Sequence, residues 1–212
     1  MQSKGILLSI ILLALLFAAS CSKVEDDVIY YPEDPNTTYY PMEIGNYWVY
    51  EEYTYDSLGE KPTGEMDSTF IDSDTIINGN KYFVYRSSSS PFWSMIMRDS
   101  SGYLVDNFGV VYFHSKSYGD TLYKKVNYTL SGDTLSAQFR VMYKLDFKIK
   151  VPAGMFKAED ARYFQLFPLA TITPKRRISF NYYSANVGLV YRDYDYLGTR
   201  YILKLVRYHI EE

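Results

Sequence analysis

Phe139, Val141, Tyr143, Leu145, Phe147, Ile149 and Val151 alternate with Arg140, Met142, Lys144, Asp146, Lys148 and Lys150. A period of two over this stretch predicts a long strand with one wet face, the face of Arg140 and the lysines. At about 3.3 Å per residue it would reach roughly 40 Å, which suits a curved sheet or barrel. Arg177–Tyr182 repeats the pattern, with Ile178, Phe180 and Tyr182 opposite Arg177, Ser179 and Asn181. Turn residues punctuate the rest. Asn78-Gly79-Asn80 separates Phe70–Ile77 from Lys81–Arg86, and Asn and Gly accept the positive φ a tight hairpin needs. Asp99-Ser100-Ser101-Gly102, Asn107-Phe108-Gly109, Ser131-Gly132-Asp133 and Asp195-Tyr196-Leu197-Gly198 read the same way. The spacing predicts about ten to twelve strands and no helix in the mature chain. Short sequential connections imply antiparallel neighbours. The expectation is one all-β domain over residues 39–212, a single antiparallel meander in a strongly curved sheet or an up-and-down, barrel-like arrangement. A two-layer β-sandwich is the alternative, because alternation does not say how a sheet closes.

The first 20 residues follow another rule. Lys4 is their only charge, and Ile6–Ala19 is apolar except for Ser9. The run is short for a membrane span, which takes about 20 apolar residues, and fits the core of an export signal. Leu16-Phe17-Ala18-Ala19-Ser20-Cys21 resembles the lipobox of bacterial lipoproteins. That resemblance implies cleavage before Cys21, a diacylglycerol on its sulfur and acylation, such as palmitate, on the new amine. Two or more chains make such an anchor stable, where one is marginal. An ordinary secretory signal or an uncleaved anchor helix is the competing reading. Cys21 is the single cysteine of the chain, and a lone exported thiol otherwise lacks a role. Residues 21–38 hold Pro32 and Pro35 and no periodicity, so they read as a lipidated flexible tether. Ser22-Lys23-Val24-Glu25-Asp26-Asp27 resembles the acidic surface-export signal of Bacteroidota lipoproteins; a solvated acidic linker is the plain reading.

Removing residues 1–20, with their one lysine, takes the net charge from −3 to −4. No basic stripe suggests nucleic acid. Lys175-Arg176-Arg177 is the densest basic run and reads as a solvated strand end. Without a second cysteine the mature domain has no internal disulfide, so packing must hold it. The 24 tyrosines, 12 phenylalanines and 2 tryptophans supply that packing and favour pleated, half-buried surfaces.

The catalytic inventory is thin, and no cofactor or metal is expected. His114 and His209 sit at strand ends, far apart in sequence. No Gly-x-Ser-x-Gly elbow or phosphate loop exists. Glu51 and Glu52 are adjacent on a strand and face opposite sides, so they cannot work as a carboxylate pair together. Asp72 with Asp74, and Asp193 with Asp195, share faces but read as strand-end and turn residues. Asp56-Ser57, Asp67-Ser68, Asp74-Thr75, Asp120-Thr121 and Asp133-Thr134, each followed by an apolar or Thr residue, resemble the O-glycosylation signal of Bacteroidota exported proteins.

Pro41-Met42-Glu43-Ile44-Gly45-Asn46-Tyr47-Trp48, Val151-Pro152-Ala153-Gly154-Met155-Phe156 and Val187-Gly188-Leu189-Val190 occur in that order. Together they resemble uncharacterised envelope lipoproteins of the Bacteroidota type. The resemblance implies an antiparallel β domain behind a lipid anchor and brings no catalytic residue. Each motif also has a structural explanation: Gly45-Asn46 turns into a strand whose Trp48 caps the core, and Val-Pro-Ala-Gly ends the long strand.

The expected function is a membrane-anchored, non-enzymatic envelope lipoprotein binding a lipid, a glycan or a protein partner. It would sit at the outer membrane, with surface exposure the implication of the acidic run. Phe92-Trp93 is the aromatic pair to suspect at a rim, with Trp93 the weak ligand-binding candidate; Trp93 packing inward is the plainer reading. A structural subunit of a surface assembly is the first alternative. A glycan hydrolase using carboxylates from separate strands is the second, and needs two of them roughly 5–10 Å apart in one cleft.

Overall fold

The computed structural model describes residues 37–89, 94–169 and 176–211. Cys21 and Trp93, the residues expected to carry lipid and ligand, lie outside them. Among the described residues there is no helix. The strands are β1 (Tyr47–Asp56), β2 (Gly59–Ile77), β3 (Asn80–Ser87), β4 (Ser94–Ser100), β5 (Tyr103–Asp106), β6 (Val111–Phe113), β7 (Thr121–Tyr128), β8 (Thr134–Val151), β9 (Gly154–Leu166), β10 (Arg176–Ser184), β11 (Gly188–Tyr196) and β12 (Thr199–His209). They belong to one compact unit, Asn36–Glu212.

All twelve strands lie in one antiparallel, barrel-like sheet, ordered β6-β5-β4-β3-β2-β1-β12-β11-β10-β9-β8-β7. The sandwich alternative falls. Every sequential pair is adjacent except β6 and β7, and the first strand pairs with the last, Tyr47 opposite His209 and Thr54 opposite Tyr201. The sheet therefore closes where the chain ends meet and stays unpaired at β6–β7. Arg140 of β8 bridges that seam. Its Nη1 donates to the Val111 carbonyl at 3.1 Å, and its guanidinium lies 4.3 Å from the Tyr112 ring and 5.1 Å from the Tyr163 ring. Burial works against the charge on this guanidinium, and the facing tyrosines work for it.

Local chemistry explains the hairpins. Between β2 and β3, Asn78 and Gly79 take φ of 50° and 77°, the double positive φ of a two-residue hairpin turn. The β8–β9 connection uses Pro152 and Ala153, and Gly154 carries φ 142°, which restarts the sheet.

The long strand differs from its expected form in two ways. It runs over 18 residues, and its pairing breaks between Lys144 and Lys148. Its face of Arg140 and Met142 is not wet: Met142 is fully buried, packed with Met97, Leu104 and Phe113 from β4, β5 and β6. Phe113 meets Tyr183 of β10 with ring centroids 4.8 Å apart. Contacts between strands so distant in the sheet order mark this as the concave side, which curvature turned inward. Conversely Phe147, counted among the core positions, is 57% exposed where the register breaks.

One end of the fold is sealed. Trp48, 4% exposed, donates through Nε1 to the Val187 carbonyl at 2.5 Å and stacks on Tyr85. Gly188 lies beneath it, where a Cβ would come within 3.2 Å of Nε1. The β8–β9 hairpin turns onto the same cluster. The Ala153 amide donates to the Leu205 carbonyl at 2.9 Å, and Leu145, Ile149 and Val151 pack with Trp48, Val190 and Leu205.

Candidate functional site

Cross-strand partners share a face, so register shows what the concave side presents beyond its packed core. Tyr50 stands opposite Asp67, Glu52 opposite Leu203, and Leu203 opposite Arg192. Away from the sealed end these side chains frame a small cleft of about 180 Å³, lined by Glu52, Glu65, Met66, Asp67, Ser89, Tyr194 and Leu203. Drug-sized ligand pockets run to roughly 300–1,000 Å³, so this cleft has the size for one polar unit of a larger ligand.

Asp67 organises its wall. Its Oδ1 accepts from the Ser87 hydroxyl at 2.8 Å, the Ser88 hydroxyl at 3.2 Å and the Ser89 amide at 3.2 Å. Tyr194 forms another wall. Its ring stacks on Tyr201 at 5.8 Å, and the exposed Arg192 guanidinium covers it at 4.8 Å. Burial raises the Tyr194 hydroxyl above its ordinary range, against the pull of Arg192. Burial likewise keeps the neighbouring Tyr50 and Tyr183 hydroxyls neutral. The cleft thus offers the Tyr194 hydroxyl and the carboxylate acceptors of Glu52, Glu65 and Asp67. Those acceptors match a polyhydroxylated ligand, whose hydroxyls need them.

Glu51 and Glu52 do face opposite sides. Glu52 enters the cleft, while Glu51 accepts from the Tyr53 hydroxyl at 2.5 Å and stands opposite Lys204. The cleft also gathers Glu65 and Asp67 of β2, so carboxylates from two strands line it.

Other candidates resolve into structural roles. His114 stacks on Tyr103 at 3.9 Å and its Nδ1 lies 2.6 Å from the Ser117 hydroxyl. His209 stacks on Tyr47. Asp72 pairs with Arg86, Asp74 with Lys81 and Asp193 with Arg200. Arg176 covers the Phe164 ring and Arg177 the Phe167 ring, as a strand end would. Among the Asp-Ser and Asp-Thr pairs, the Asp56 carboxylate accepts from the Leu58 amide and Asp133 from the Ser131 hydroxyl. Ser57 and Thr121 are exposed. Among the described residues no group of three or more His, Cys, Asp and Glu is placed to hold a metal ion.

On the opposite face of the sheet, Asp160 is fully buried and its Oδ2 pairs with Arg162 at 2.7 Å. Burial, against Arg162, pushes its carboxyl up to about 6. It stands opposite Tyr143 and Tyr182, away from the cleft.

No protein-family model matches the chain, and no curated protein matches it. Two solved structures are similar to it. One is described as a "putative lipoprotein" from Parabacteroides distasonis, with 16% identity, a TM-score of 0.50, and coverage of 82% of this chain and 99% of that one. The other is a "putative exported protein with YmcC-like fold" from Bacteroides fragilis, with 15% identity, a TM-score of 0.46 and the same coverage. The first likeness places this chain in an antiparallel, barrel-like class of fold.

Proposed function

We propose that this chain is an exported, lipid-anchored protein of the bacterial envelope whose β domain is a binding module, and that its ligand is a glycan. The lipobox ending in Cys21 supports the anchor, and the descriptions of the two structural neighbours, a lipoprotein and an exported protein, accord with it. One observation carries the binding reading. The concave side is filled by Phe113, Met142 and Tyr183 toward its core, and a small polar cleft of Glu52, Glu65, Asp67, Ser89 and Tyr194 opens among the described residues. A filled interior disfavours a lipid carrier, and a polar cleft with a tyrosine wall favours a sugar ring.

The test is native mass spectrometry of the mature protein from an envelope-competent host, followed by titration with the glycan mass that co-purifies. A bound glycan lost in Tyr194→Ala supports the reading, and a bound lipid or an unaffected variant removes it. Turnover of that glycan, abolished in Glu52→Gln, would convert the module into a hydrolase.

A second reading, a subunit of a surface assembly, draws on the β7–β8 hairpin. β7 is an edge strand, and Tyr128, Leu130 and Leu135 at the hairpin tip are 63%, 111% and 50% exposed. A monomer on native gels of mildly solubilised membranes would count against it.

A further inference from the structure

Charge is unevenly spread along this chain. Residues 43–106 carry 11 Asp and Glu against 4 Lys and Arg, whereas residues 116–177 carry 12 Lys and Arg against 5 Asp and Glu. Three of these bases, Lys148, Lys150 and Lys157, sit around the turn of the β8–β9 hairpin. Ile149 and Val151 are buried in the sealed end, so the alternating Lys148 and Lys150 point to the open side. Lys148 stands directly opposite Lys157, and Lys150 opposite Met155. All three lysines are exposed, and none takes part in the ion pairs found among the described residues. Like charges directly opposed across two strands destabilise a hairpin unless an anion lies between them. Two apolar side chains accompany them: Met155 is 62% exposed and Phe147 57%.

The position of this hairpin supplies the second observation. The chain joins the domain at Thr38, whose amide donates to Asn186 Oδ1 at 3.1 Å while the Asn186 amide donates to the Thr38 carbonyl at 2.6 Å. Asn186 precedes Val187, the residue that accepts from Trp48 and packs in one cluster with Val151. Tether and basic hairpin thus meet at the same end of the fold. The 16 residues from Ser22 to Thr37 span at most about 56 Å when extended, so the tether lets this end reach the anchoring surface.

We infer that the β8–β9 hairpin is a membrane-docking surface: Lys148, Lys150 and Lys157 engage anionic phospholipid headgroups, and Met155 and Phe147 enter the interface beside them. The inference rests on the lipid-anchored reading for the nearness of the bilayer. Anchor and patch then act together, two weak attachments making one firm and oriented one.

The experiment uses the full mature, lipidated protein in vesicles of phosphatidylcholine alone or with one third phosphatidylglycerol. Amide hydrogen exchange over residues 147–157 should slow at least about tenfold on the anionic vesicles only. Raised salt and the triple variant Lys148→Glu/Lys150→Glu/Lys157→Glu should both abolish the slowing, with the thermal midpoint of the variant unchanged. Equal exchange on the two vesicles overturns the inference, as does an unaffected variant. Intact mass separates the two readings. If Cys21 carries no lipid, the anchor falls, and co-sedimentation of the unlipidated chain with anionic vesicles then decides the patch alone: pelleting lost in the triple variant upholds it, and no pelleting overturns it.

Discussion

The two regions of the concave side use similar residues for opposite ends. At the sealed end Trp48 and Tyr50 are each 4% exposed and spend their polar atoms on the Val187 and Leu189 carbonyls. In the cleft, Tyr194 and Arg192 cover each other, and Glu52 and Glu65 face open space. Aromatic residues stabilise where every polar atom has a partner inside the fold, and on the proposed reading they recognise where some are left over.

Trp48→Ala should break the comparison most visibly, with a loss of about 3–5 kcal/mol read by denaturant melts. Tyr194→Ala, by contrast, should cost under about 1 kcal/mol. Equal losses would mean that the cleft is as structural as the seal.

Asp160 comes next. Its carboxyl is raised from 3.8 to about 6 in the folded protein, so the folded state holds its proton longer than the unfolded chain. That favours the folded state fully below the unfolded value and is lost as pH rises through the folded one. Wild type should therefore gain stability relative to Asp160→Asn as pH falls from 7 to 4, by up to about 3 kcal/mol. A flat difference across that range would show that Arg162 already offsets the burial.

Arg140→Ala should cost about 2 kcal/mol by leaving the Val111 carbonyl unpaired, with faster amide exchange confined to β6 and β7. Smallest of all, Glu52→Gln should leave the melting temperature within error and change only ligand affinity.

Much of the fold was legible because it is local. Alternation located the strands, and Asn78-Gly79 and Leu197-Gly198 adopt the positive φ expected of their turns. Trp48 caps the core, as the strand launched by Gly45-Asn46 suggested. What escaped is non-local. Alternation put Arg140 on a wet face, since curvature that turns a face inward leaves no period of its own. The β1–β12 pairing joins residues at opposite ends of the domain and has no sequence signature. The cleft was half visible: Glu52 was separated from Glu51 by strand geometry, yet its companions Glu65, Asp67 and Tyr194 come from other strands. Asp67 was visible only as part of a modification signal, and nothing in that signal showed that its Oδ1 would order three serines.

The pairing of first and last strands also bears on how such a chain is made. A sheet whose closing ladder joins Tyr47 to His209 cannot be completed until nearly the whole chain is present. Pairings so distant in sequence form late, because the loop entropy between them must be lost before any bond repays it. On the proposed reading of an exported chain, one emerging from its amino end would thus remain open and threadable throughout translocation, and would lock only when β12 arrives.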